Sequence, residues 1–230
     1  MKVSTITFKQ VVRYAALCVL SVVLLSSCKK DDPYNFEGTL YANVNFINTS
    51  PDAGTAGFYV ENILRTPKVV AYGDASGYNK TYAGDQDISA KSASENTLVS
   101  STAQFDVKTN YTVFLVGQTT ALGLLKVTDD QTAPSSNKAK VRFVNTSPSA
   151  SSASLLTSAT TGLFSNIAYR AVSDYAEVDA GSYSLSVLSG NNRSAATGVT
   201  FASGKIYTVY AKGVIGNGTT PFSVGVFLNN

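Results

Sequence analysis

The chain has 230 residues, of which 44% are hydrophobic, 14% charged and 10% aromatic, a balance that suits a folded protein with a core and not a disordered one. It contains no His and no Trp, which excludes Ser-His-Asp and Cys-His catalysis and any His-ligated metal centre. The formal charge of +3 comes from the first residues: without Lys2, Lys9 and Arg13 the 18 basic residues become 15, against 15 acidic ones. The rest of the chain is neutral, so the basic footprint of a nucleic-acid binder is missing.

Residues 1–27 read as a signal peptide. The three basic residues are followed by an apolar run from Tyr14 to Leu25. That run is about a dozen residues, and a bilayer span needs about 20. It ends in Leu25-Ser26-Ser27-Cys28, which resembles the lipobox of bacterial lipoproteins. The resemblance implies cleavage before Cys28 and acylation of its thiol with fatty acids such as palmitate, and Cys28 is the expected lipidation site. Residues 28–37 then form the acylated Cys and a tether, opening on Lys29-Lys30-Asp31-Asp32. Such charge pairs resemble the tags that send some lipoproteins to the outward face of a Gram-negative outer membrane. The other cysteine, Cys18, lies in the apolar run, so the mature chain is expected to have neither disulfide nor free thiol.

Beyond the tether one unit is written twice. Val44-Asn45-Phe46-Ile47-Asn48-Thr49-Ser50-Pro51 returns at an offset of 97 as Val141-Arg142-Phe143-Val144-Asn145-Thr146-Ser147-Pro148, with six of eight positions identical. Ala71-Tyr72, Ser76 and Tyr78 meet Ala168-Tyr169, Ser173 and Tyr175 at the same offset. Phe105, Tyr111-Thr112-Val113 and Gly117 meet Phe201, Tyr207-Thr208-Val209 and Gly213 at an offset of 96. A period of this size is that of a small domain and not of a solenoid. The expected organisation is repeat 1 over 38–130, a polar linker at 131–136 with Pro134, and repeat 2 over 137–230.

Within each unit the periodicity is two. Ala139-Lys140-Val141-Arg142-Phe143 and Ser182-Tyr183-Ser184-Leu185-Ser186-Val187 alternate apolar with polar residues, which predicts strands with one face in a core and one in water. Tyr111 to Val116 and Ile206 to Ala211 are β-branched and aromatic, and read as central strands that begin on core tyrosines. No helix is expected outside the leader. The fold class is therefore all-β, two tandem immunoglobulin-like antiparallel β-sandwich domains, without the Cys and Trp that mark antibody domains.

The pattern Val44 to Ala53, then Phe58-Tyr59-Val60, the Ala-Tyr-x-x-x-Ser-x-Tyr of both copies and Ala-Gly-x-Tyr-x-Leu-x-Val from Ala180 to Val187 resembles a domain of secreted bacterial proteins known as domain of unknown function 4397. The resemblance covers nearly all of the chain after the tether. It implies a β-sandwich outside the cytoplasm and no catalytic residues. The chain departs from the family pattern at Asn48 and Asn145, where His is usual, and at Ser149, which replaces an Asp.

Three groups of residues are candidates for a site. Asp174, Glu177 and Asp179, with Asp85 and Asp87 in the other copy, have the spacing of cation ligands or of a glycosidase pair. They align with Gly77, Lys80, Tyr82, Ser182 and Ser184, so the copies share no acidic constellation, and a solvated strand face is the better reading. Tyr72, Tyr78, Tyr169 and Tyr175 are the ligand-binding candidates, as aromatic faces on which a sugar stacks. The competing reading packs them at strand ends with their hydroxyls bonded to the protein. The Asn-Thr-Ser-Pro motif has a mechanical role: its side chains cap backbone groups where a strand ends, and Pro fixes φ. No cofactor, metal or nucleic acid is expected. The function expected is a surface-displayed, non-enzymatic binding or spacer module for a glycan, an envelope component or a protein. The alternatives are a structural subunit assembling by strand addition and a glycosidase working with carboxylates alone.

Overall fold

The computed structural model describes residues 40–158 and 160–230. The leader, the Cys28 acylation site and the tether lie outside the described residues. In chain order the first half gives β1 (Tyr41–Asn48), β2 (Ala56–Val60), β3 (Ile63–Leu64), β4 (Ala75–Tyr82), β5 (Gly84–Ser92), β6 (Thr97–Phe105), β7 (Asn110–Val116) and β8 (Gly123–Asp129). The second gives β9 (Lys138–Asn145), β10 (Ser152–Leu156), β11 (Gly162–Ala168), β12 (Ala176–Asp179), β13 (Gly181–Ser189), β14 (Asn192–Arg193), β15 (Thr197–Phe201), β16 (Ile206–Lys212) and β17 (Ser223–Leu228). Among the described residues there is no helix.

Each half is a sandwich of two sheets. In repeat 1 the order is β4-β1-β7-β8 in one sheet and β3-β2-β5-β6 in the other. In repeat 2 the order is β12-β9-β16-β17 in one, while β11-β10-β13-β14 with β15 on β13 makes the other. The expectation of purely antiparallel sheets needs a correction. β1 pairs in parallel with β7, and β9 with β16. The cause is the route of the chain. After β1 it crosses to β2 and β3 of the facing sheet, comes back beside β1 as β4, crosses again to β5, returns along β6 to the end where β1 began, and enters β7 in the same sense as β1. The Lys108 N–H bonds the Tyr41 carbonyl at 2.6 Å and the Asn43 N–H bonds the Thr109 carbonyl at 3.0 Å, which fixes the parallel register.

The period-2 alternation fills both cores. Ala42, Val44, Phe46, Phe58, Val60, Ile88, Ala90, Phe105, Tyr111, Val113 and Leu115 pack inside repeat 1. Ala139, Val141, Phe143, Leu155, Leu185, Val187, Phe201, Tyr207 and Val209 pack inside repeat 2. The two strand-opening tyrosines lie in these cores. The Tyr111 hydroxyl accepts from the Asp106 N–H at 3.0 Å, and that of Tyr207 from the Ala202 N–H at 3.0 Å.

The other face of β1, β7, β9 and β16 is not in water. Ile47, Phe114, Val116 and Val127 of repeat 1 form a third apolar cluster with Val144 and Tyr210 of repeat 2, flanked by Leu125 and Phe227. The sheet β4-β1-β7-β8 thus packs on the sheet β12-β9-β16-β17, and the described residues form one compact unit. Burial on both faces explains the near-continuous apolar runs of β7 and β16. The segment 130–137 is bound to repeat 2: the Lys140 ammonium pairs with Asp130 and bonds the Thr132 carbonyl, each at 2.8 Å, and the Ser135 N–H donates to Glu177 at 2.8 Å.

Candidate functional site

The Asn-Thr-Ser-Pro turns are built alike in both repeats. The Asn48 amide donates to the Gly54 and Val70 carbonyls at 2.7 and 3.1 Å, and its oxygen accepts from the Ser50 N–H at 3.2 Å. Asn145 does the same with the Ala150 and Ile167 carbonyls at 2.9 and 3.0 Å and the Ser147 N–H at 3.2 Å. Thr49 and Thr146 donate to the Leu115 and Ala211 carbonyls on the neighbouring parallel strand, at 2.8 and 2.6 Å. These residues are fully buried. Each motif is a clamp that ties a strand end to the loops around it, as the capping reading requires.

The Ala-Tyr loops that follow are the second shared device, and they act between the repeats. The Tyr210 hydroxyl of repeat 2 donates to the Gly73 carbonyl of repeat 1 at 3.1 Å, and the Lys212 ammonium lies 4.9 Å from the centre of the Tyr72 ring. The left-handed φ of 83° at Gly73 favours glycine, and a Cβ there would make the end of the Lys212 side chain swing aside. The position matching Gly73 in repeat 2 is Arg170. Its guanidinium stacks over Tyr169 at 5.1 Å and donates to the Ala121 carbonyl of repeat 1 at 2.9 Å. Each repeat therefore lays its Ala-Tyr loop on the other, related by an approximate two-fold axis. Burial raises the Tyr72 hydroxyl to about 12 and lowers the pKa of the Lys212 ammonium.

Deeper in the same contact lies a polar network. Arg142 is 1% exposed, although alternation predicted it in water. Its guanidinium pairs with the Asp129 carboxylate, donates to the Thr128 carbonyl at 2.7 Å and to the Thr208 hydroxyl at 3.0 Å, and lies 5.1 Å from the centre of the Tyr175 ring. Asp129 also accepts from Thr112 at 2.8 Å and from the Tyr78 hydroxyl at 2.6 Å, and Tyr78 accepts from the Asn229 amide at 3.0 Å. Burial first, and then the Asp129 charge, push the Tyr78 hydroxyl far above its ordinary value; burial raises Tyr175 to about 12. A buried charge pair persists only when paired and hydrogen-bonded all round, and here both partners are.

The four candidate tyrosines are thus brought to one contact between the repeats, each partly buried, with the hydroxyls of Tyr72, Tyr169 and Tyr175 out of solvent. Of the four hydroxyls only that of Tyr78 is hydrogen-bonded, while those of Tyr72, Tyr169 and Tyr175 are buried without a hydrogen-bond partner, and a cation lies over one face of each of these three rings: Lys212, Arg170 and Arg142. The carboxylates are spread out instead. Asp179 pairs with Lys138 at 2.8 Å, Glu177 accepts from Ser135, and Asp85 and Asp87 lie exposed on β5. Among the described residues no three His, Cys, Asp or Glu groups converge as metal ligands. Sequence reasoning missed Arg142, Asp129 and Lys212. The signal for the first was the exchange of Asn45 for Arg in an otherwise repeated octet.

Strand directions place the loops. β1, β7, β9 and β16 all end where the contacts of Tyr210 with Gly73 and of Arg170 with Ala121 are made. The loops 49–55, 65–74 and 117–122 of repeat 1 and 146–151, 169–175 and 213–222 of repeat 2 therefore share one end of the body. Tyr41, the 130–137 segment and Asn230 lie at the other. Two cavities open at the loop end, one of about 250 Å³ lined by Lys68, Val69 and Asp74, and one of about 420 Å³ lined by Asn191, Asn192, Arg193, Gly216 and Phe222. A third, of about 400 Å³, lies along β5 and β6 beside Asp87, Ser100 and Thr102. Each of the three has at most one carboxylate in its lining.

No curated protein matches the chain significantly. The model of a domain of unknown function, DUF4397, matches residues 42–156 and 156–227. Its two matches meet at the last residue of β10, whereas the ladders change over within 130–137, so the second match begins two strands into repeat 2. With two matches spanning nearly all of the described body, the chain belongs to the DUF4397 family.

Proposed function

We propose that this protein is a lipoprotein, acylated at Cys28, that holds a paired-sandwich body outside the cytoplasm as a non-enzymatic binding or spacer module. Its address is the outer membrane of a Gram-negative cell, and its partners are glycans, envelope components or other surface proteins. The observation that carries the reading is the joining of the two loop ends. The Arg170 and Tyr210 hydrogen bonds tie the loops 65–74, 117–122 and 169–175 and strand β16 across the two repeats, at the end opposite to Tyr41, where the chain enters from its N-terminal segment. Loops on a rigid scaffold are the usual place for recognition, and a doubled scaffold offers a wide surface. The non-enzymatic reading is supported by the lack of any His in the sequence and by cavities with no pair of carboxylates. Acyl chains contribute about 0.8 kcal/mol per buried methylene, enough for durable attachment when several are present.

Two experiments test this. Cys28→Ser should move the protein from the membrane fraction to the soluble one, and protease added to intact cells should remove it when Cys28 is present. Retention of the serine variant in membranes would contradict the anchor. The chain from Lys30 onward, applied to a glycan array, should bind without hydrolysis, and Lys68→Ala or Asn192→Ala should weaken capture. Release of free sugar would favour the glycosidase instead.

A further inference from the structure

A sheet edge offers unpaired backbone groups to any strand that can reach it, and most edges of this molecule are blunted. β3 and β14 have two residues each, β12 carries Glu177 and Asp179, β4 carries Lys80 and β8 carries Lys126. β11 shifts register twice along β10 and has Asn166 at a left-handed φ of 55°. In repeat 2 the strand matching β6 is broken: Ser194-Ala195-Ala196 separates β14 from β15, and Arg193 precedes the gap. β17 (Ser223–Leu228) is an uncharged edge of six residues, with Phe227 edge-on against Tyr78, and β6 is the longer of the two. Thr97-Leu-Val-Ser-Ser-Thr-Ala-Gln-Phe105 has nine residues with no charge and no Pro, and pairs with β5 without interruption from Phe105 to Val99. Ser100, Ser101 and Thr102 are exposed, while Val99 and Ala103 are only partly buried against the repeat 1 core. Lys126 bonds the Gln104 carbonyl and covers the strand at that end alone.

We propose that β6 is an association edge whose partner is the β6 of a second copy of this chain, paired antiparallel about Ser101. The polarity of the strand selects that partner. An antiparallel strand meeting its own copy keeps its inward face inward only if the two-fold axis passes through a residue, because a shift by one residue reverses both faces. Centred on Ser101, Val99 lies opposite the partner copy's Ala103 on the core side, and Ser100 opposite its Thr102 on the outer side. Centring on Ser100 or Thr102 sets Val99 or Ala103 against Ser101. The pairing joins the β5–β6 sheets of two copies into one continuous sheet, covers the partly open core edge, and closes as a dimer without leaving a free β6. It does not depend on the lipid anchor or on any ligand of the loops.

The chain from Lys30 onward, which contains the whole compact body, is the material for the test. Sedimentation of a concentration series should show a monomer–dimer equilibrium. S100K/T102K sets Lys against Lys twice across the axis and should weaken dimerisation about tenfold or more. S100E/T102K sets Glu against Lys at the same places and should keep the dimer. Both variants carry T102K, which places its ammonium opposite Asp87 within the chain, so neither strains the fold, and circular dichroism should be that of the wild type. A wild-type chain that stays monomeric throughout overturns the proposal. So does a dimer indifferent to S100K/T102K, or equal weakening by the two variants.

Discussion

Repeat 1 and repeat 2 are most alike where each holds itself together and least alike where they hold each other. The Asn48 and Asn145 clamps make the same three kinds of hydrogen bond, two of them at the same spacing in sequence and the third one residue apart. At the contact the matched positions differ: Asn45 against Arg142, Asp129 against Asn229, Leu125 against Gly225, Phe114 against Tyr210. The differences are complementary. Repeat 2 supplies the cation and repeat 1 the anion, and Gly225 makes room for Tyr210, whose ring a Cβ there would overlap. Two copies of one fold have become distinct partners, and the contact is specific in orientation because only one pairing of the halves satisfies the buried charges.

That comparison breaks most sharply at the ion pair. Arg142→Ala leaves Asp129 buried without its cation and should cost about 3–5 kcal/mol in denaturant unfolding. Arg142→Asn with Asp129→Asn gives both sides the residues found at the matched positions, and should cost less than the two single changes together, by about 0.5–3 kcal/mol in a double-mutant cycle. The clamps come next. Asn48→Ala and Asn145→Ala each strip two buried carbonyls and one N–H of their partner, and should each lower stability by about 1–3 kcal/mol, by similar amounts in the two repeats.

Alkaline pH gives a smaller and graded effect at the contact. Tyr72 and Tyr175 have ordinary values near 10 when unfolded and about 12 when folded. A raised value in the folded state means their contribution is complete below pH 10 and is lost as pH rises toward 12. Unfolding temperature should therefore fall over that window, and tyrosinate absorbance at pH 11 should be lower for the folded protein than for the unfolded one. At the small end stands Lys138–Asp179, a solvated surface pair. Asp179→Asn should produce no resolvable change in unfolding temperature.

Much of this was legible in the sequence. The octet repeated at Val44 and Val141 gave the duplication, alternation gave the strands, and the opening tyrosines Tyr111 and Tyr207 were placed in their cores. Arg142 marks where that reading stops. Alternation separates two faces of a strand, but it does not distinguish water from a second protein sheet, because a charged residue satisfied by a partner elsewhere looks like a solvated one. Asp129 was hidden for the same reason: beside Asp130 and Gln131 it resembles a polar linker, yet it ends β8 and is buried. The parallel pairing of β1 with β7 depends on which end the chain returns to, which local pattern does not encode.

The central claim is that the two sandwiches unfold as a single body because their contact is a buried core in its own right. Calorimetry of the chain from Lys30 onward measures this directly. The account predicts one transition, with equal calorimetric and van't Hoff enthalpies for the whole body, and two separated transitions in Arg142→Ala. Two independent transitions in the wild-type chain, unchanged by that substitution, would contradict it.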